Sequence, residues 1–153
     1  MSNLGKQFEL KFKEDFSKIP ESTIDRIYDV TTGYKSISNV CDFICYKYPN
    51  IFYIECKSHK GASFPFVNLT QYSKLKDKVG IKGVRAGVIL WLYEKDLVLY
   101  VPISTISQMI TDDKKSVGIR DLDKYNIIKI PSIKKRVFMD SDYSILLNMP
   151  EGN

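Results

Sequence analysis

Apolar residues recur at a helical interval along the start of the chain. Leu4, Phe8, Phe12, Phe16 and Ile19 are spaced by four, four, four and three, which aligns them on one stripe of an amphipathic helix. Asn3 is placed to cap its start and Pro20 to stop it. Thr23 to Asp29 then alternates as a short strand does, and Val30 to Ser38 (VTTGYKSIS) is polar and reads as a loop. Two apolar runs follow, Val40 to Tyr46 and Ile51 to Ser58, separated by the turn sequence Lys47-Tyr48-Pro49-Asn50. They predict a β-hairpin with Asp42 near the middle of its first strand. His59 to Phe66 reads as a loop, and Leu69 to Val79 as a short helix closed by Gly80, with Asn68 and Gln71 spaced as a capping box. Arg85 to Tyr93 and Leu97 to Pro102 predict two more strands, and Ser104 caps a helix to about Ile110. From Lys114 onward the pattern is mixed and predicts no element. The alternation of strands and helices predicts an α/β fold: a single domain over residues 1–153 with a mixed central sheet flanked by helices.

Composition narrows the class. The chain has 153 residues, 44% hydrophobic and 27% charged, enough for a packed core without disulfide staples. The longest apolar run, Val88 to Tyr93, is far short of a membrane span, and Met1 to Lys6 holds no apolar leader. With an odd count of three cysteines as well, the expectation is a reduced, cytoplasmic protein with no membrane partner. The 23 Lys and Arg against 18 Asp and Glu give a net charge of +5, which suits a polyanionic partner.

The hairpin carries the chemistry. Glu55 and Lys57 are two apart on its second strand and share a face. If the turn pairs Lys47 with Asn50, Asp42 lies opposite Glu55. If it pairs Tyr48 with Ile51, Asp42 lies opposite Lys57 with Glu55 on the diagonal. Either register gathers the three side chains on one face, with Cβ atoms roughly 5–8 Å apart, and the turn residues do not choose between them. Two carboxylates so close repel unless neutralised, and hard oxygen ligands suit Mg²⁺, with Mn²⁺ able to take its place. A lysine beside them can position or deprotonate an attacking water, or balance charge on a pentacovalent phosphate. Asp, Glu and Lys around a divalent cation suffice to hydrolyse a phosphodiester. A cross-strand ion pair on a solvated face would give the same pattern, but Phe43, Ile44, Phe52 and Ile54 mark both strands as central.

The run N-V-C-D-F-I-C-Y-K-Y-P-N-I-F-Y-I-E-C-K-S, followed by G-A-S-F-P-F-V-N, resembles the RecU family of Holliday-junction resolvases, most of all their short phage-encoded relatives. G-K-Q-F-E, ending at Glu9, and I-D-R-I-Y-D fit the same resemblance, which spans roughly Gly5 to Pro102. It implies a nuclease fold of the PD-(D/E)XK type. Asp42 and Glu55 would be metal ligands with the Cys56 carbonyl as a third, and Lys57 the catalytic lysine. Glu9 would join the site from the first helix, and Gln71 from the helix after F-P-F. The implied activity is Mg²⁺-dependent cleavage of four-way DNA junctions. A two-fold substrate cut in two strands suits a homodimer. Two departures stand out. The long basic arm that bacterial members carry before the first helix has no counterpart here, and Val30 to Ser38 is short for the family's stalk.

Lysines around the hairpin supply a phosphate-binding rim. Lys6, Lys13, Lys35, Lys60 and Lys74 are the candidate DNA contacts, with Lys11, Lys76, Lys78, Lys82 and Arg85 also nearby in sequence and Lys134-Lys135-Arg136 a further run. Tyr34 can stack on an exposed base. A zinc site built from Cys41, Cys45, Cys56 and His59 is disfavoured, because Cys41 and Cys45 would lie about 13 Å apart along one strand. Those cysteines read instead as small buried hydrophobes.

Overall fold

Asn3 opens the first helix, its side chain accepting the Lys6 N–H at 3.0 Å. The computed structural model describes residues 3–28, 30–32, 35–37 and 39–150. Helix α1 (Leu4–Phe16) buries Phe8, Phe12 and Phe16 as the stripe requires. It ends at a Ser17 cap rather than at Pro20, and Ile19 is buried in the turn that follows. Strand β1 (Ser22–Arg26) leads to a small antiparallel ribbon, β2 (Val30–Thr32) and β3 (Lys35–Ile37), where a loop was expected. A ladder this short relies on backbone bonds and leaves little apolar periodicity to read. The hairpin follows as β4 (Phe43–Lys47) and β5 (Asn50–His59). Beyond it come β6 (Ser63–Pro65), helix α2 (Tyr72–Lys76), β7 (Val84–Leu92), β8 (Leu97–Pro102) and helix α3 (Ile103–Thr111). Helix α2 is shorter than Leu69 to Val79, and no side chain caps it. Helix α3 likewise lacks a side-chain cap. The C-terminal part adds β9 (Ser116–Gly118), β10 (Ile128–Lys129), β11 (Ser132–Lys134) and β12 (Met139–Ser141).

The main sheet has six strands in the order β1-β4-β5-β7-β8-β10. All neighbours are antiparallel except β5 and β7, whose parallel pairing requires the crossover through β6 and α2. Both faces are covered, so β7 is apolar at nearly every position. Ile89 and Trp91 join α1 and the C-terminal Tyr143 and Leu146 in one core layer. Val88, Leu90 and Leu92 meet Leu75 of α2 and Ile103, Ile106 and Met109 of α3 in the other. Gly87 leaves room for the Tyr100 ring, which a Cβ there would meet at 2.4 Å. Buried Asp15 fastens α1 to the tail, bonding Lys11 at 2.8 Å and the Ser141 N–H at 3.0 Å. Lys11 also holds Asp140 at 2.6 Å, and buried Arg85 donates to the Met149 and Pro150 carbonyls. These two cations belong to the packing of the tail, not to a phosphate-binding rim. No helix among the described residues is long and apolar enough to cross a membrane.

Candidate active site

The hairpin pairs Lys47 with Asn50 across its turn, and that register runs to Phe43 opposite Ile54. There the ladder breaks. The Asp42 N–H bonds the Ile54 carbonyl at 3.1 Å, one position out of register, in the manner of a β-bulge. Asp42 therefore sits just before β4 rather than in its middle. On its other side β1 keeps step, with the Ile27 N–H donating to the Asp42 carbonyl at 2.8 Å. Strand β5 continues past the break, and its Cys56 N–H donates to Asp42 Oδ2 at 2.9 Å. A carboxylate thus replaces the backbone acceptor that a longer β4 would have supplied.

Glu55 and Lys57 follow on β5, opposite Val88 and Leu90 of β7. Lys57 Nζ is 3.3 Å from Glu55 Oε2. Glu55 is only 3% exposed, and among the described residues its Oε1 has no hydrogen-bond partner. Burial, and after it the charge of Asp42, raises the Glu55 carboxyl to about 8, with Lys57 opposing. From α1, Glu9 faces the same centre, its carboxyl raised by burial and by Asp42 against the pull of Arg26. Arg26 closes the group. Its Nη1 lies 3.2 Å from both Glu9 Oε2 and Asp42 Oδ1. The sequence reading missed this arginine. Its signal was there, since Arg26 is two residues from buried Ile24 on β1, and a charge on a strand's core-facing side needs a partner.

No protein-family model matches the chain. No curated protein matches it either. Among solved structures, Hjc of Archaeoglobus fulgidus, a Holliday junction resolvase from an archaeal hyperthermophile, superposes with a TM-score of 0.56 at 15% identity, covering 79% of this chain and 93% of that one. The two chains share a fold. It is the restriction-endonuclease-like fold, a mixed sheet flanked by helices.

Around the restriction-endonuclease-like sheet the remaining candidates are spread unevenly. Gln71 opens α2 and accepts the Thr70 hydroxyl at 3.1 Å. Among the described residues it has no recorded contact with the carboxylates, and it caps nothing. Lys6 and Lys13 are exposed on α1, Lys60 lies just past β5, and Lys74 lies on α2. Tyr34 lies outside the described residues, and Lys35 opens β3. Lys134 and Lys135 pair with Asp96 and Asp140. The three cysteines are buried thiols, with burial raising Cys41 to about 12 and the others further, as expected of small core residues. Among the described residues, no three His, Cys, Asp or Glu side chains converge as a metal cage. A hard cation that keeps most of its water needs fewer protein ligands than such a cage supplies, and Asp42 and Glu55 are the carboxylates present here that could hold one. The unpartnered Glu55 Oε1, in a carboxyl whose proton affinity burial raises, fits a cation that could compete with the proton there.

Proposed function

We propose that this chain is a divalent-metal-dependent endonuclease that resolves four-way DNA junctions, related to the short phage-encoded members of the RecU family. One observation carries the reading: Asp42, Glu55 and Lys57 meet where the hairpin ladder breaks. The fold shared with Hjc supports it. Asp42, Glu55 and the Cys56 carbonyl would hold Mg²⁺, or Mn²⁺ in its place. Such a cation supplies charge to the phosphate oxygens and activates water for in-line attack. Lys57, paired with Glu55 in this structure, would orient the attacking water and offset charge on the pentacovalent phosphorus. Glu9 and Arg26 hold Asp42 in position. The products are a 5′-phosphate and a 3′-hydroxyl. The whole chain acts as one cytoplasmic nuclease domain, and a homodimer places one site on each of the two cut strands.

The test is a labelled four-way junction beside a matched linear duplex, each with Mg²⁺, Mn²⁺ or Ca²⁺. Paired cuts in the junction alone are expected. Cuts in both substrates would make the protein a nuclease without junction preference, and binding without cleavage under any metal would make it a DNA-binding module.

A further inference from the structure

A cavity of about 430 Å³ opens beside the catalytic carboxylates. One wall is a stripe of α1, in which Lys6, Glu9, Leu10 and Lys13 fall at i, i+3, i+4 and i+7. This stripe is separate from the one that buries Phe8, Phe12 and Phe16. The other wall is the end of the β1–β4 ladder, where Arg26 pairs with Phe43 and Tyr28 follows two residues on. Apolar surface stands in water on both walls: Leu10 is 69% exposed and Tyr28 is 72% exposed. Tyr28 is nonetheless fastened. The preceding Ile27 N–H bonds the Asp42 carbonyl, and Asn39 Nδ2 donates to the Tyr28 carbonyl at the foot of the β2–β3 ribbon. The Arg26 guanidinium lies 5.5 Å from the Tyr28 ring centre and 3.2 Å from Asp42 Oδ1, so the cavity begins one side chain from the reacting centre.

We propose that this cavity receives an unpaired nucleotide next to the scissile phosphate, its base between Tyr28 and Leu10 and its phosphates on Lys6 and Lys13. The proposal rests on the nuclease reading and names where the substrate's flank goes. The volume lies within the range of small-ligand sites, roughly 300–1,000 Å³. A nucleotide divides into a flat, weakly polar base and an anionic backbone. The cavity divides the same way, with an aromatic and an aliphatic face inside and three cations against one carboxylate around them. In continuous duplex both faces of each base are covered by stacking. At the crossover of a four-way junction a base can leave its stack at little cost, so the cavity favours branched over linear DNA.

The experiment uses the full chain in Ca²⁺, to hold substrate uncut, and a four-way junction carrying 2-aminopurine at the nucleotide beside the crossover. Binding by anisotropy and 2-aminopurine fluorescence are read separately. The wild type is expected to bind and to change the fluorescence. Tyr28→Ala and Leu10→Glu are expected to abolish the fluorescence change and weaken junction binding on the order of tenfold, while Tyr28→Phe keeps both. High exposure of the two positions keeps the variants folded, which their melting temperatures will confirm. Junction binding with an unaltered fluorescence response in Tyr28→Ala and Leu10→Glu would overturn the proposal alone. No DNA binding by the wild type would overturn it together with the nuclease reading.

Discussion

The Cys56 backbone N–H donates to Asp42 Oδ2 at 2.9 Å. A residue placed before β4 is thereby locked to the strand that carries Glu55 and Lys57. Asp42→Asn retains a carbonyl oxygen for that bond, whereas Asp42→Ala leaves the N–H without an acceptor. Both variants should lose several orders of magnitude in junction cleavage, as should Glu55→Gln and Lys57→Ala. Only Asp42→Ala should also lose about 1–3 kcal/mol of folding stability in denaturant titrations. Near-normal turnover in any of the four would remove that residue from the chemistry.

The raised Glu55 carboxyl makes stability depend on pH in a definite direction. Its group value is 4.5 without the fold and about 8 within it. Between those limits the folded protein stripped of divalent cations holds more protons than the unfolded chain. Its stability from this group therefore falls as pH rises through that window. Glu55→Gln has no such proton, so its stability relative to wild type should improve steadily from pH 5 to pH 8 in chelator. Parallel curves would show that Glu55 titrates as an ordinary carboxylate.

Salt should weaken junction binding steeply, because lysine contacts release counterions from phosphate. Several such contacts cost on the order of a hundredfold in affinity between about 50 and 200 mM salt. Charge removal at Lys6 and Lys13 together should flatten the slope of log affinity against log salt. An unchanged slope would place the phosphate contacts elsewhere on the surface.

The β2–β3 ribbon directly precedes the turn into Asp42, and under the proposed function it would reach into the junction centre, where a continuous duplex offers no room. Replacing Thr31 to Ser36 with a Gly/Ser linker should sharply reduce junction affinity and cleavage, leaving duplex binding and the melting temperature as they were. If junction preference survives, selectivity must come from the spacing of two sites in a dimer.

The sequence was most legible where one periodicity ran long enough. The α1 stripe, the hairpin and the fully apolar β7 all announced themselves, because each buries a face of the main sheet. The hairpin's two registers could not be separated from its turn residues alone. The ribbon was missed because three-residue strands leave almost no pattern, and the tail because β9 and β12 bury only two residues each and β10 and β11 none. At the site, Asp42, Glu55 and Lys57 could be grouped from alternation. The bulge that brings Asp42 to Cys56 could not, since a break in a ladder has no residue signature here. Gln71 was placed by resemblance, and among the described residues its hydrogen-bond partner is Thr70.

Strand β5 is twice as long as β4, ten residues against five, so its second half has a strand partner on the β7 side only. Asp42, Glu55 and Lys57 lie at the notch this leaves. Extending β4 through Cys41 and Val40 would complete the backbone pairing and give a sturdier sheet, but it would fill the notch and give the Cys56 N–H a main-chain acceptor in place of Asp42 Oδ2. Stabilisation of this protein by sheet idealisation would therefore run directly against the proposed chemistry. Engineering for heat resistance belongs on the β7–β8 side, where the pairing is already complete.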